Sequence, residues 1–240
     1  MNILITGGAS GLGETITKTL ALDSANYVFF TYSNSQENAL KIESEFSNTK
    51  AFKCDFKNVA EVNSLTEIIK ELELDVLINN AYHGTPVKTY FHKIPAVDFL
   101  EEFQQNIVPT ISITQAVLTN FRKAKNGKIV TILTSFLINT PPIGASSYVA
   151  CKAYLSSLVK SWANENAKFN ITSNSVSPSF MLTGLTDYTD ERIIEQMEQA
   201  HPLKRLLTTE EVAETIKFLL SASIQINGVD IPINAASDFK

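Results

Sequence analysis

Short runs of β-branched and apolar residues alternate with longer segments of helical periodicity along the whole 240-residue chain. Several runs are almost continuously apolar, which is typical of parallel strands covered on both faces. The pattern predicts an α/β fold, with one domain over residues 1–240 and a doubly wound parallel sheet of about seven strands flanked by helices. The predicted strands are Asn2–Thr6, Tyr27–Thr31, Ala51–Cys54, Val76–Asn79, Lys128–Thr134, Thr172–Val176 and Val229–Ile233. The predicted helices are Gly11–Leu22, Gln36–Phe46, Val59–Leu72, Val97–Phe121, Ser147–Asn166, Asp190–Ala200 and Thr209–Ser221.

Charge and cysteine content exclude several classes of function. The net charge is −5 without a Lys/Arg block, so we expect neither nucleic acid nor a membrane as a partner. No apolar run is long enough to span a bilayer, and we expect no leader segment before the first predicted strand. Cys54 and Cys151 lack disulfide or metal-ligand spacing, and His83, His92 and His201 lack metal spacing. We therefore expect no metal and a cytoplasmic location.

A glycine-rich turn joins the first predicted strand to the first predicted helix. Four of the nine glycines lie in it, at Gly7, Gly8, Gly11 and Gly13. Gly7 allows the turn, Gly11 lets the main chain approach a ligand, and Gly13 lets helix and strand pack closely. The N–H groups and positive dipole end of the helix would then face a pyrophosphate. The alternative is a glycine-rich turn without a ligand.

A second chemical pattern follows the fifth predicted strand. Ser135 comes directly after it, and Tyr148 and Lys152 occupy positions i and i+4 of the next predicted helix, so they share one face. A nearby ammonium group favours the phenolate form of tyrosine, which allows acid–base chemistry at neutral pH. Helices also carry Tyr and Lys at this spacing for packing and solubility alone.

Together these motifs resemble the short-chain dehydrogenase/reductase family, and the resemblance covers essentially the whole chain. It rests on the order of TGGASGLG at 6–13, Asp55, Asn79-Asn80-Ala81, Asn106, Ser135, YVACK at 148–152, SPSFMLT at 177–183 and HPLKRLLTTEEVAETIKFLLS near the C-terminus. The resemblance implies a Rossmann-type fold, an oxidoreductase acting on C=O or CH–OH groups, and a nicotinamide cofactor.

The resemblance also implies catalytic roles for Ser135, Tyr148, Lys152 and Asn106. Tyr148 is the expected general acid/base, and Lys152 lowers its pKa and binds the nicotinamide ribose. Ser135 would stabilise charge on the reacting oxygen. Asn106 would hold a water on the proton path to the lysine, although an Asn three residues before Pro109 is also compatible with a helix kink.

The expected cofactor contacts extend from the glycine loop to the catalytic helix. Asp55 would otherwise be an N-cap of the next helix. No acidic residue lies between Asn26 and Gln36, where a carboxylate would bind the 2′-hydroxyl of NAD, so NADP(H) is favoured and NAD(H) stays possible. The predicted contacts are Gly7, Ser10, Gly11, Leu12, Gly13, Thr31, Ser33, Asn34, Asp55, Phe56, Asn80, Ala81, Tyr148, Lys152, Met181 and Thr183.

The chain departs from the family at three positions where glycine is usual. Tyr82, Ser179 and the pair Ala235-Ala236 stand there instead. Tyr82 is the most intrusive, because its ring would narrow the nicotinamide side of the cleft or close over the ligand, unless the local backbone shifts.

The leading prediction is NADPH-dependent reduction of a ketone or aldehyde. In the family, reduction of a 3-oxoacyl thioester on a carrier protein is the commonest task for chains of this length. An NAD-dependent secondary-alcohol or sugar dehydrogenase and a non-catalytic nucleotide-binding regulator are the alternatives. The segment at about 178–200, with Phe180, Met181, Leu182 and Leu185, is expected to cover the substrate. The resemblance further implies a homo-oligomer, a dimer or homotetramer, built from the helices at Val97–Phe121 and Ser147–Asn166.

Overall fold

A computed structural model describes residues 1–84, 89–138, 140–184, 186 and 189–237. One parallel sheet of seven strands, in the order β3-β2-β1-β4-β5-β6-β7, organises this part of the chain. The predicted fold class is confirmed. The strands are β1 (Asn2–Ile5), β2 (Tyr27–Tyr32), β3 (Thr49–Lys53), β4 (Val76–Asn79), β5 (Gly127–Ile132), β6 (Ile171–Pro178) and β7 (Asp230–Ile233).

Helices cover both faces of the sheet. One hydrophobic cluster packs α1, α2 and α7 against one face, and a second packs α3, α4 and α5 against the other. The central strands β1 and β4 are almost fully buried between these layers, which explains their continuous apolar sequences. The helices are α1 (Gly11–Ala21), α2 (Gln36–Glu45), α3 (Val59–Glu71), α4 (Ala96–Ala124), α5 (Ser146–Asn166), α6 (Glu191–Ala200) and α7 (Thr209–Ser221). Among the residues described, no helix is both long and apolar enough to cross a membrane.

The strand order reverses between β1 and β4, which creates a crevice at the carboxyl edge of the sheet. Strands β1, β2 and β3 extend from this point in one direction, and β4 to β7 extend in the other. In an open α/β sheet a ligand binds in such a crevice, because the loops after the two central strands separate there. The glycine loop after β1 and the segment after β4 therefore lie side by side.

Strand β5 is shorter than predicted. We expected it to continue to Thr134, but it ends at Ile132. The Thr134 side chain accepts a hydrogen bond from the Phe136 N–H and so begins a 3₁₀ turn over Ser135–Leu137. The short side-chain hydroxyl competes with the strand ladder, a local effect that apolar periodicity does not reveal.

Lys128 at the start of β5 links the sheet to the end of α7. Its Nζ donates hydrogen bonds to the carbonyl oxygens of Leu220, at 2.6 Å, and Ala222, at 3.0 Å. These carbonyls lie at the negative end of the helix dipole, so the ammonium group stabilises them. Burial lowers the pKa of Lys128.

We expect Lys128→Met to destabilise the protein by about 1–2 kcal/mol, because the last carbonyls of α7 lose a charged donor. Urea unfolding followed by circular dichroism measures the difference. Lys160→Met is the control, since Lys160 is exposed on α5, and we expect it to change stability by less than about 0.5 kcal/mol. Equal unfolding curves for both variants would contradict the linking role.

Candidate active site

A cavity of about 760 Å³ opens at the carboxyl edge of the sheet. Every residue predicted to contact the dinucleotide lines it, from the glycine loop to Tyr148 and Lys152. This volume lies within the usual range for small-molecule and cofactor sites. The crevice, the glycine loop and the acid–base pair are therefore parts of one site.

The glycine loop has the backbone geometry that its sequence predicts. Gly7 and Gly11 have φ angles of +67° and +51°, in the left-handed region that favours glycine. A Cβ on Gly13 would lie 2.0 Å from the Gly7 carbonyl oxygen and 2.6 Å from Asn80 Nδ2. Only a residue without a side chain fits where α1 begins, so the loop forms a tight cradle.

Two side chains from neighbouring strands hold this cradle in place. Thr31 at the end of β2 accepts a hydrogen bond from the Gly7 N–H at its Oγ1, at 2.9 Å. Asn80, after β4, donates from Nδ2 to the carbonyl oxygens of Thr6, at 2.9 Å, and Gly7, at 3.1 Å. The Thr6 hydroxyl in turn accepts the N–H groups of Asn80 and Ala81, each at 3.0 Å. These hydrogen bonds tie the loop to the ends of β2 and β4.

The first turn of α1 points into the cavity with donors available for an anion. Ser10 is the N-cap and is exposed, and its side chain makes no capping hydrogen bond. The helix is eleven residues long, so its N–H groups and dipole favour negative charge at this end. A pyrophosphate fits a cradle of glycines followed by such a helix terminus.

Ser33 and Asn34 follow β2 and also line the cavity. Thr31 lines the cavity too, but it is 1% exposed and its Oγ1 accepts the Gly7 N–H, so its direct contact with a cofactor stays a prediction. Through this hydrogen bond it holds the glycine loop. Ser33 is half-buried and Asn34 exposed, so these two carry the polar groups available for a ribose or its phosphate.

Asp55 and Phe56 lie on the cavity wall after β3. The alternative that Asp55 is a helix N-cap is wrong, since Asn58 caps α3 by accepting the N–H groups of Ala60 and Glu61. Asp55 instead accepts the Lys57 N–H in a local turn, at 3.0 Å.

Tyr148 and Lys152 face the cavity from adjacent turns of α5. The Lys152 Nζ lies 5.8 Å from the centroid of the Tyr148 ring and donates a 2.7 Å hydrogen bond to the Ile132 carbonyl oxygen at the end of β5. Burial lowers the pKa of Lys152 to about 8, so the ammonium form prevails at neutral pH and is lost above that value. A cation close to a phenol favours the phenolate, as acid–base chemistry on Tyr148 requires.

Cys151 does not take part in this chemistry. It packs in a small apolar cluster with Ile107, Leu133 and Leu155. Burial raises the pKa of the Cys151 thiol to about 11, and that of Cys54 to about 12. Both thiols stay protonated at neutral pH, so neither is a nucleophile.

Ser135 begins the 3₁₀ turn that packs against α5. It is 2% exposed and lies between Thr134 and Phe136, which line the cavity. The structure places this residue beside the site, while contact of its hydroxyl with a reacting oxygen stays a prediction.

Asn106 is buried in the middle of α4 and holds the segment after β4. Its Oδ1 accepts the His83 N–H at 2.6 Å, and its Nδ2 donates to the carbonyl oxygens of His83 and Glu102, each at 3.0 Å. Helix α4 continues past Pro109, and a proline inside a helix is compatible with a kink, so that alternative stays open beside these hydrogen bonds. The side chain positions the cavity wall, and its part in a proton path stays a prediction.

Tyr82 lies at the acid–base end of the cavity. Its ring lines the cavity, edge-on to the Tyr148 ring with centroids 5.0 Å apart, and the Lys152 Nζ lies 4.9 Å from the Tyr82 centroid. Its hydroxyl donates a short hydrogen bond to Glu102 Oε1. The prediction that it narrows this side of the cleft agrees with that placement. Glu102 gave no signal in the sequence.

The other two departures from glycine have different consequences. Ala235 and Ala236 have φ angles of +49° and +57°, so the chain keeps a left-handed bend without glycine. Ser179 continues the backbone pairing beyond β6 by donating its N–H to the Ile233 carbonyl oxygen at 3.0 Å.

Comparison with known proteins identifies the family. A family model described as enoyl-(acyl carrier protein) reductase matches residues 7–235. The 3-oxoacyl-[acyl-carrier-protein] reductase of Aquifex aeolicus is 32% identical over 239 residues, 96% of this chain and 94% of that protein. The chain belongs to the short-chain dehydrogenase/reductase family. The reductase of the same name from Thermotoga maritima is 30% identical over 237 residues and 95% of both chains.

Solved structures agree with this short-chain dehydrogenase/reductase assignment. ElxO with bound NADP superposes with a TM-score of 0.86 at 26% identity, covering 98% of each chain. The crevice, glycine cradle and Tyr148–Lys152 pair thus stand in a fold that this family uses for oxidoreductases.

Proposed function

We propose that the protein reduces a ketone or aldehyde carbonyl with NADPH. The observation that carries this proposal is that Tyr148 and Lys152 line the same cavity as the glycine cradle. The relatives named 3-oxoacyl-[acyl-carrier-protein] reductase and the NADP complex of ElxO support it. A 3-oxoacyl thioester is therefore the first substrate class to examine.

The chain's own groups account for the proton and charge steps. NADPH, held by the glycine cradle and by Tyr148 and Lys152, would supply a hydride to the carbonyl carbon. Tyr148 donates its phenolic proton to the carbonyl oxygen, and the adjacent Lys152 ammonium stabilises the phenolate that remains. The Ser135 hydroxyl is proposed to hydrogen-bond the same oxygen while negative charge develops. Asn106 fixes the wall beside this pair through His83 and is proposed to lie on the proton path.

NADP(H) is the favoured cofactor because the segment after β2 lacks a carboxylate. Ser33 and Asn34 line the cavity there, and no acidic residue lies between Asn26 and Gln36 to repel a 2′-phosphate. The same absence removes the usual acceptor for the 2′-hydroxyl of NAD, so NAD(H) is the less favoured alternative.

The test is a substrate panel followed by oxidation of NADPH and, separately, NADH. The panel holds 3-oxoacyl thioesters, simple ketones, aldehydes and sugars, and a 2-enoyl thioester because of the family model's description. We expect carbonyl reduction with kcat/KM at least about tenfold higher for NADPH, a difference of about 1.4 kcal/mol.

Other outcomes of this panel identify the alternatives. A strong NADH preference would contradict the cofactor assignment and favour an NAD-dependent alcohol or sugar dehydrogenase. Reduction of the enoyl thioester alone would replace the carbonyl assignment. NADPH binding without turnover on the whole panel would indicate a nucleotide-binding regulator.

The segment at 178–200 is proposed to cover the substrate. Phe180, Met181, Ile193 and Met197 line the cavity, and the last two lie on one face of α6. Leu182 is 53% exposed near them, and Leu185 lies outside the described residues. Apolar groups at a cavity mouth favour a substrate with an apolar chain or ring.

A homo-oligomer, either a dimer or a homotetramer, is proposed through α4 and α5. Val97, Leu100 and Val108 on α4 and Tyr154 on α5 are all more than two-fifths exposed, which is unfavourable for a surface that stays in water. A cytoplasmic location is proposed because both cysteines are free and buried, as in reducing compartments.

A further inference from the structure

Tyr82 contacts both members of the acid–base pair and a carboxylate on α4. Its ring face carries the Lys152 ammonium group at 4.9 Å from the centroid, and its ring contacts Tyr148 at 80° between the ring planes. Its hydroxyl reaches Glu102 on α4. Packing alone does not require a cation over the ring face, and the negative face of an aromatic ring attracts a cation most strongly where water is excluded.

Glu102 fixes the ring in this position. Burial and the adjacent carboxylate raise the pKa of Tyr82, so its hydroxyl stays protonated and donates to Glu102. The Glu102 carbonyl oxygen accepts a hydrogen bond from Asn106, which also holds His83 next to Tyr82. The ring is therefore anchored through its hydroxyl and through the backbone beside it.

We infer that Tyr82 is a positioning residue for the catalytic pair: its ring face holds the Lys152 ammonium group beside Tyr148. The inference rests on the proposed function, because it assigns a further residue to that site. Glycine is usual here in the family that the chain resembles, so the ring is a feature of this chain. The other ionisable groups around this contact are Tyr148 and Cys151, which neighbour Lys152 on α5, and Glu102 on α4, which neighbours the Tyr82 hydroxyl and Cys151.

Two variants separate the ring face from the hydroxyl. Tyr82→Phe and Tyr82→Leu both lose the hydrogen bond to Glu102 and both keep an apolar side chain in the cavity wall. Only the phenylalanine keeps an aromatic face against Lys152. The comparison of Phe with Leu therefore isolates the cation–π contact, and the comparison of Tyr with Phe isolates the anchor.

The first readout is the titration of Lys152 by NMR in protein with isotope-labelled lysine, with Lys152→Met to identify its signal. We expect Lys152 to titrate about one pH unit lower in Tyr82→Leu than in Tyr82→Phe, because the Lys152 ammonium group loses its contact with an aromatic ring. The phenylalanine variant should stay close to wild type. If Tyr82 had only a structural role, both variants would change in folding stability, but Lys152 would titrate at the same pH in both.

The second readout is the pH profile of kcat with NADPH. In Tyr82→Leu we expect the alkaline limb of the kcat profile to lie about one pH unit lower. In Tyr82→Phe we expect it to stay at the wild-type pH. Equal Lys152 titrations for Phe and Leu would overturn the inference even if turnover persists. If no carbonyl is reduced, the proposed function fails while the titration still decides the role of Tyr82. Tyr82→Met replaces Tyr82→Leu if the leucine variant does not fold.

Discussion

Tyr148→Phe is expected to lower NADPH-dependent carbonyl reduction by about 10²- to 10⁴-fold, the usual contribution of a positioned acid–base group. The change removes one oxygen atom and keeps the ring, so the edge contact with Tyr82 and the packing of α5 persist. The lost group is the proton donor to the carbonyl oxygen. NADPH affinity should change little, since the glycine cradle is untouched.

Tyr154→Phe on the same helix is the matched control. Tyr154 is 44% exposed and packs edge-on against Phe103, with its ring centroid 5.0 Å from that of Phe103. Steady-state kinetics and NADPH fluorescence titration on both variants separate chemistry from binding. The assignment fails if Tyr148→Phe keeps wild-type turnover, or if both variants lose activity equally.

The fold was predictable because its signals are local and repeated. Each of the seven predicted strands and seven predicted helices is present, since apolar runs and helical periodicity reflect burial on the two faces of one sheet. The residues at which strands and helices begin and end were less predictable. Strand β6 extends to Pro178 and α4 from Ala96 to Ala124, because pairing and packing continue where periodicity weakens.

The glycine cradle and the Tyr148–Lys152 pair were predictable for the same reason. Their spacing along the chain fixes their geometry on a βα turn and on one helix face. Side-chain hydrogen bonds were harder. Local competition decides that Asn58 and not Asp55 caps α3, because both can accept N–H groups there.

Contacts between distant segments could not be predicted from one sequence. Tyr82 meets Glu102 twenty positions away, and Asn106 meets His83 twenty-three positions away. These partners meet only in the tertiary structure, where α4 lies beside the segment that follows β4. A tyrosine in place of glycine indicates a change in the site. The direction in which the Tyr82 side chain points and the residue that it contacts depend on tertiary packing.

Gly13→Ala is expected to weaken NADPH binding by about 10- to 100-fold, a loss of about 1.4–2.8 kcal/mol. The added Cβ would lie 2.0 Å from the Gly7 carbonyl oxygen and 2.6 Å from Asn80 Nδ2, much closer than van der Waals contact. Both neighbours hold the cradle, so the loop must move and the Asn80–Gly7 hydrogen bond must lengthen or break. Overpacking of this kind also costs about 1–3 kcal/mol of stability.

The control for this variant is Gly184→Ala, because an added Cβ at Gly184 meets no heavy atom of the described residues within 4 Å. Without ligand, we expect the unfolding temperature to be lower for Gly13→Ala and unchanged for Gly184→Ala. Added NADPH should raise the unfolding temperature of wild type more than that of Gly13→Ala, since the stabilisation depends on the ratio of ligand concentration to Kd. Wild-type NADPH affinity in Gly13→Ala would mean that the cradle does not hold the pyrophosphate. The dinucleotide would then have to bind elsewhere along the crevice, and the geometric basis of the proposed reductase would be lost.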